Sequence, residues 1–445
     1  MALTALDIYK HLPKTNCGKC GFPTCLAFAM QLSQKKISLD DCPEVTAEGR
    51  AALEGAAQPP IRLITIGVGD HKLEIGNETV LFRHELTFFH PTGVAVQVSD
   101  ALDDAALVAK LEALRDFAIE RVGTRMSIDL VAIKGDSGDP ARFAAVAAQA
   151  QRTVPYPLIL LSANPALIEA ALKECAANRP LIYAADANNW EKMADLAKTA
   201  KCPLAVVAGD LEALSELTPR VVEAGVPDVV IGLEGAAFAE TLQALTIARR
   251  LALKKSCRGL GYPMIAFAVD PDQRQAITQA GTYIAKYAGI VVLDRADPAE
   301  LISLLTIRYN IYTDPQKPIQ VKPGVYEVRD PTAESPVLLT TNFSLTYYTV
   351  EGDIDASRVP AYVVVVDTEG TSVLTAWAAD KLNADKVTAA LTQEDGIKSR
   401  VSHRKIIIPG LVAVMAAKLK EKSGWEVLVG PQESASIPRF LKSLP

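Results

Sequence analysis

Leu158-Ile-Leu-Leu161, then Ser162-Ala-Asn164, then Pro165-Ala-Leu-Ile-Glu-Ala-Ala-Leu-Lys173 is the unit that decides the fold. Four apolar residues in a row read as a strand covered on both faces, as in a parallel sheet. Asn followed by Pro reads as a helix start. The unit recurs on both sides. Strands are predicted at Gly93–Val98, Ile128–Ile133, Leu158–Leu161, Leu181–Ala184, Leu204–Ala208, Val229–Ile231, Met264–Val269 and Ile290–Leu293. Helices alternate with them at Asp104–Val122, Pro140–Gln151, Pro165–Ala177, Trp190–Ala200, Leu211–Ala224, Ala236–Leu253, Asp272–Ala288 and Pro298–Tyr309. Eight such units closing on themselves make a TIM (β/α)8 barrel over residues 60–320; a doubly wound open sheet is the alternative. Ahead of the first unit, Ile61–Gly67 reads as a strand, and Leu73–Phe82 as a hairpin around Gly76-Asn77.

Barrel chemistry sits where strands end. Those positions hold Ser99-Asp100, Lys134-Gly135-Asp136, Ser162 and Asn164, Asp186, Asn188-Asn189, Gly209-Asp210, Glu234, Asp270 and Asp294-Arg295. Acids and amides there either bind a substrate or cap the following helices, and capping is the preferred reading. The barrel shows no defensible catalytic set and reads as scaffold and docking surface. His11, His71, His84 and His90 are scattered, with no paired spacing for a metal.

Upstream lies Cys17-Gly-Lys-Cys20-Gly-Phe-Pro-Thr-Cys25, closed by Cys42-Pro43. Four thiolates suit an iron–sulfur cluster or a zinc ion. Zinc knuckles come as two Cys-x-x-Cys pairs, and only Cys17 and Cys20 fit that pattern. A cubane tolerates a more open loop. The Cys-Pro ending and the apolar neighbours Phe22, Pro23, Leu26 and Phe28 favour a [4Fe-4S] cluster, with zinc, a [2Fe-2S] centre and a disulfide pair as alternatives. Helices are expected at Ala2–Leu12, Cys25–Lys35 and Thr46–Glu54, and residues 1–58 form a unit too small to cohere without its metal. Ala56–Pro60 reads as a linker. Cys175, Cys202 and Cys257 lack ligand spacing and read as buried structural thiols.

The chain has 445 residues, net charge −6, 49% hydrophobic and 6% aromatic residues. That length predicts two or three domains. No basic block or aromatic platform points to nucleic acid. No apolar run is long enough to span a bilayer, and Met1–Lys10 has no secretory pattern, so a cytoplasmic, reducing compartment is expected and no membrane contact.

Gln316–Gly324 reads as a second linker, and residues 325–445 as a small Rossmann-like α/β domain. Val337–Thr341 and Leu345–Val350 surround Asn342-Phe343-Ser344. Strands are predicted at Tyr362–Val366, Lys405–Ile408 and Glu426–Val429. Helices are predicted at Leu374–Lys381, Ala384–Leu391, Leu411–Glu421 and Pro438–Ser443. Three strand-to-helix turns contain glycine and present backbone N–H groups, suiting a phosphate, amide or carboxylate on a large ligand outside the strands' carboxyl ends.

The whole chain resembles the large-subunit (gamma) family of corrinoid iron–sulfur proteins of the acetyl-CoA (Wood–Ljungdahl) pathway. The resemblance runs through the cysteine stretch, Thr340-Thr-Asn-Phe-Ser-Leu-Thr346, Gly370-Thr-Ser-Val373, Ile407-Ile-Pro-Gly410 and Val429-Gly-Pro-Gln-Glu433. It implies a [4Fe-4S] cluster on Cys17, Cys20, Cys25 and Cys42, a barrel, and a C-terminal cobamide-binding domain. Thr340, Thr346, Gly370, Thr371, Ser372, Val373, Gly410 and Glu433 would then contact the cobamide. The implied partners are a small subunit, a methyltetrahydrofolate methyltransferase and acetyl-CoA synthase/carbon monoxide dehydrogenase. The implied activity is methyl carriage: cob(I)amide takes the methyl group of methyltetrahydrofolate and delivers it to acetyl-CoA synthase, and the cluster reactivates Co(II) to Co(I). The Asp-x-His-x-x-Gly motif of many cobalamin domains is absent. His403 is the single histidine of this domain and lacks that context, which agrees with base-off cobalt held without a protein histidine. Two rival readings are a pterin-dependent methyltransferase barrel and an electron carrier without corrinoid.

Overall fold

The computed structural model describes residues 5–33, 37, 39–46, 48–50, 53, 59–314, 317–393 and 396–444. The expected linker at 56–58, the end of the helix expected to Lys35, and much of the one at 46–54 lie outside them. The chain packs as two compact units, Met1–Ala118 with Ser127–Tyr312, and Ile119–Met126 with Thr313–Pro445.

In the first unit, helices Ala5–Lys10 and Cys25–Ser33 bury Ile8, Leu12, Phe28 and Ala29 against Leu53, Cys25 and Cys42. Next comes a hairpin of β1 (Ile64–Ile66) and β2 (Leu73–Ile75), with Ile64 opposite Ile75. The expected hairpin at Leu73–Phe82 does not form. Gly76 is glycine for another reason: it sits at φ +91°, and a Cβ there would lie 1.9 Å from the Arg62 carbonyl oxygen. Ile64, Ile66 and Ile75 are fully buried with the inward-facing Leu130, Leu181, Ile265 and Ile290. Gly67 N–H donates to the Arg179 carbonyl at 2.9 Å, just before a barrel strand begins. The hairpin therefore plugs the amino-terminal end of the barrel.

After β3 (Gly93–Ser99) the helix runs Asp104–Asp116 and stops short of the expected Val122. A second hairpin follows, β4 (Ile119–Arg121) and β5 (Thr124–Met126). Its turn residues Val122 and Gly123 both have positive φ, the signature of a tight hairpin turn. This hairpin packs with the second unit. The remaining barrel strands are β6 (Leu130–Lys134), β7 (Leu158–Leu161), β8 (Leu181–Ala185), β9 (Leu204–Ala208), β10 (Val229–Leu233), β11 (Met264–Ala268) and β12 (Ala288–Leu293). Together with β3 they form a closed barrel, all parallel, with β12 pairing back onto β3. The TIM-barrel expectation holds and the open-sheet alternative falls. Cys175 and Cys202 are buried, as expected, and burial pushes their thiols up to about 12 and about 11. Cys257 is only half-buried.

One ion pair ties the barrel's closure. The Asp129 carboxylate accepts from Val94 N–H at 2.8 Å and pairs with Arg308 on the last helix, Pro298–Ile311. Arg308 also donates to the Thr92 and Ser127 carbonyls.

In the second unit, β13 (Gly324–Val328), β14 (Val337–Thr341), β15 (Ala361–Val366), β16 (Lys405–Ile408) and β17 (Glu426–Val429) form one sheet in the order β13-β15-β14-β16-β17. β13 is an antiparallel edge and the other four run parallel. Part of the expected linker, Gly324, thus opens a strand. Leu345–Val350 lies inside helix Ser344–Ser357. The helix expected at Leu411–Glu421 starts as a 3-10 stretch, Gly410–Met415, before the α-helix Ala416–Ser423. Leu339, Val364 and Ile408 pack under Val387, Leu391 and Leu419 on one face. Leu338, Val363 and Ile407 pack under Tyr347, Ile354 and Leu441 on the other.

Replacing Arg308 by Ala leaves the half-buried Asp129 without its counter-charge, and the free energy of unfolding, measured by denaturant titration, should fall by about 1–3 kcal/mol.

Candidate functional site

Sheet order fixes where a ligand can enter the second unit. From β14 the chain crosses to β15 on one side and then returns to β16 on the other. The carboxyl ends of β14 and β16 are therefore a switch point, where loops leave in opposite directions and a crevice opens. A cleft of about 280 Å³ lies there, lined by Thr340, Thr346, Val373, Pro409 and Glu433 among others.

Four of the eight sequence-predicted residues, Thr340, Thr346, Val373 and Glu433, thus meet at one cleft. Thr340 is 1% exposed, and its Oγ1 has no hydrogen-bond partner. A buried hydroxyl without a partner is costly; Thr341 and Thr388 Oγ1 share that condition in this unit, and of the three only Thr340 lines the cleft. Gly410 is a spacer: a Cβ would lie 2.6 Å from the Gly430 carbonyl oxygen and 2.9 Å from Gln432 N. Its own N–H donates to the Pro431 carbonyl at 3.0 Å. It lets the loops after β16 and β17 touch.

Gly370, Thr371 and Ser372 do not line the cleft; they form the turn after β15. That turn hangs on a residue the sequence reading passed over as part of a motif. Asn342 is buried, and its Oδ1 accepts from Thr368 N–H at 2.9 Å, Thr368 Oγ1 at 3.0 Å and Gly370 N–H at 3.0 Å. Its Nδ2 donates to Gln320 and Asp367, both at 3.1 Å. Gly370 has φ +70°, and a Cβ would lie 2.6 Å from Gln320 Cγ, so the turn admits no side chain there.

Leu345 and Leu411 line the cleft and stand in the open, and Leu374, Val414 and Val429, on or after strands of the same sheet, are exposed too, Val414 by 77%. Val429 ends a parallel strand, and the other four lie three to eight residues past one. An exposed apolar rim around a crevice marks a binding surface. Sequence reading missed it, although leucine at Leu345 and Leu411, three to four residues past a strand where a polar cap is usual, was a visible signal. His403 lies at the other end of β16. Its Nε2 donates to the Ser335 carbonyl at 2.9 Å and its Nδ1 accepts from Lys405 N–H at 3.1 Å.

A second site lies in the N-terminal segment. Cys17, Cys20, Cys25 and Cys42 line one small pocket with Leu12 and Phe28. All four thiols are free, and Cys25 and Cys42 are buried. Asn16 Oδ1 accepts from Cys25 N–H at 2.8 Å, and Gly18 and Gly21 turn the loop with positive φ. Phe22 packs edge-on to Phe28. A hydrogen bond from the Lys19 backbone lowers the Cys17 thiol, whereas burial raises that of Cys42. Among the described residues, no three ligand-type groups converge closely enough to hold a single ion. Four thiols lining one pocket suit a thiolate-held metal centre.

Comparison with known proteins places these features. A family described as CO dehydrogenase/acetyl-CoA synthase delta subunit matches residues 63–441. Another, described as a putative Fe-S cluster, matches residues 12–44, the span holding the four cysteines. The corrinoid/iron-sulfur protein large subunit of Moorella thermoacetica is 44% identical over 443 residues, covering 100% of this chain and 99% of that one. The chain belongs to the corrinoid/iron–sulfur protein large-subunit (gamma) family. The acetyl-CoA decarbonylase/synthase complex subunit gamma of Methanothermobacter thermautotrophicus is 38% identical, covering 100% of this chain and 99% of its own. That of Archaeoglobus fulgidus is 36% identical, with 98% and 97% covered. The delta-subunit description spans the barrel and the second unit and stops short of the cysteine stretch, whereas the gamma relatives match it end to end.

Asn342→Ala should free the turn after β15 by stranding the N–H groups of Thr368 and Gly370. Stability of the second unit should fall by about 1–3 kcal/mol, and amide exchange at residues 367–371 should accelerate relative to β14.

Proposed function

We propose that this chain is a methyl carrier built on a cobalt corrinoid. Thr340, Thr346, Val373 and Glu433 at the β14–β16 cleft would hold the cobamide, which when bound would supply a nucleophilic reduced cobalt for passing a methyl group from methyltetrahydrofolate to acetyl-CoA synthase. A [4Fe-4S] cluster on Cys17, Cys20, Cys25 and Cys42 supplies the low-potential electron that restores the reduced metal after accidental oxidation. Support comes from the gamma-subunit relatives together with one observation, the unpartnered Thr340 hydroxyl in an apolar-rimmed cleft.

The residues fit that group. A corrin is a large, flat, mostly apolar ring fringed with amides. Leu345, Leu374, Leu411 and Val414 offer apolar contact. Thr340 and Thr346 would bond fringe amides, and the Glu433 carboxylate would accept from an amide N–H. Val373 would pack against the ligand, and the Asn342-held turn Gly370-Thr371-Ser372, whose Gly370 and Thr371 N–H groups are spent on Asn342 Oδ1 and the Thr368 carbonyl, would fix where Val373 stands. Gly410 keeps the crevice open by letting two loops meet without a side chain between them. Both ring nitrogens of His403 are engaged at the far end of β16. No imidazole of this unit is therefore free for cobalt, which favours base-off binding and an accessible reduced state. In the N-terminal pocket, apolar side chains exclude water from the thiolates, an arrangement that tunes a cluster's potential.

The partners proposed are a small subunit covering the other face of the corrin, the methyltransferase, and acetyl-CoA synthase/carbon monoxide dehydrogenase. A reducing cytoplasm suits exposed Cys17. No helix among the described residues is long and apolar enough to cross a membrane.

The deciding experiment is the visible spectrum of protein purified anaerobically with its small subunit. Cobamide bands with about four irons per chain are expected; iron without cobalt overturns the proposal. Thr340→Val keeps shape and loses one ligand bond. It should leave the melting temperature unchanged and weaken cobamide retention about tenfold. Cys20→Ala should abolish reductive reactivation while methyl transfer from pre-reduced protein stays intact; loss of both would refute the relay role.

A further inference from the structure

The barrel has a cavity of its own that the carrier reading leaves without work. It opens at the carboxyl ends of the strands and measures about 840 Å³, within the range of small-molecule sites. Barrel mouths are where this fold places its ligands.

Most polar side chains at the strand ends are engaged in structure. Asn164 and Asp210 cap the helices that follow them. Asp100 accepts from Ser137 N–H at 2.7 Å and Ser137 Oγ at 2.6 Å. Asp186 accepts from Asn188 and Asn189, and Asp270 from Gln279. Lys134 is neutralised by Asp136 at 2.8 Å. The capping expectation is met at Asn164 and Asp210, whereas Asp100, Lys134, Asp186 and Asp270 brace neighbouring loops without capping a helix.

Glu234, just past β10, is different. Its carboxylate is exposed to the cavity and has no hydrogen bond or ion pair among the described residues. Tyr183 lines the same cavity, and its phenol also bonds to nothing there. Burial, and after it the Glu234 charge, drive that phenol well above its ordinary range. Tyr183 meets Phe267 edge-to-face with centroids 5.0 Å apart, and these two rings cap the barrel's apolar core. Phe238 adds an aromatic wall that is 37% exposed. Gln97 and Gln275 bring two amides that make no bonds among the described residues.

We infer that the barrel mouth binds a planar heteroaromatic ring with an N–H donor edge, of the 2-aminopyrimidin-4-one type. A carboxylate accepts two parallel N–H bonds from an amino–imino edge as it does from a guanidinium. Aromatic rings take the face of such a ring. Glutamine amides match both its carbonyl and its ring nitrogens. An anion is disfavoured, because Lys134 is already paired and Glu234 would repel it. A simple alkylammonium would leave the amides unpaired and most of the volume empty. This inference stands apart from the corrinoid reading, since it concerns the other unit and its test needs no cobalt.

The test is calorimetric titration of the full chain with guanosine and inosine, which differ only in the 2-amino group, and with 2-amino-4-oxopteridine as a second ring of the class. At least one of the two amino-bearing rings should bind, and guanosine, if it binds, should bind at least tenfold more tightly than inosine. Glu234→Gln should weaken the amino-bearing ring at least tenfold without changing the melting temperature. Phe267→Leu should weaken guanosine and inosine alike. Absence of binding by both amino-bearing rings at millimolar concentration, measurable binding of guanosine and inosine with equal affinity, or an unchanged affinity in Glu234→Gln each overturns the inference.

Discussion

Parallel strands cannot be joined by a tight turn; each pairing needs a crossover, here a helix, that returns the chain to the same end of the sheet. That constraint governs both units. It puts every strand-to-helix loop at the carboxyl edge and leaves the amino-terminal edge to be sealed. In the barrel the seal is the β1–β2 hairpin with its three isoleucines. In the second unit both faces are helix-covered and the crossovers reverse direction between β14 and β16. The larger cavity of each unit therefore opens at the same kind of edge. Barrel closure depends on β12 returning to β3, and the Asp129–Arg308 pair locks that return by joining the last helix to the loop before β6.

The repeated strand–helix unit was legible because buried parallel strands are continuous apolar runs, needing no register information. All eight barrel strands and three of the four parallel strands of the second unit follow from that signal. The short pieces did not. β4 and β5 are three residues each, and their turn is Val122-Gly123 where Asn-Gly or Asp-Gly would announce a hairpin. Gly76-Asn77 looks like such an announcement, yet Gly76 answers to the Arg62 carbonyl. A glycine forced by close approach and one forced by a turn look the same in one dimension. β13 was hidden for a related reason: an antiparallel edge with prolines ahead of it resembles a linker.

The two candidate sites differ in legibility in the same way. Cysteines at Cys17, Cys20, Cys25 and Cys42 declare a soft-ligand centre by composition alone. The cleft in the second unit is made of ordinary residues, and Thr340 becomes distinctive only when its hydroxyl is found buried and unbonded. Asn342 was quoted as one letter of a motif, while its work as the five-bond anchor of the β15 turn needed three dimensions. Glu234 stood among a dozen strand-end polar residues until the others were seen to be occupied.

The leucines and valines around the β14–β16 cleft carry a further consequence. A ring of naked hydrocarbon on an otherwise well-covered domain is a poor surface to show to water. Without its occupant the protein should be sticky, prone to self-association and an attractive target for chaperones; with it, the same side chains become interior. On the proposed corrinoid reading, loading would then be part of maturation, covering that exposed hydrocarbon.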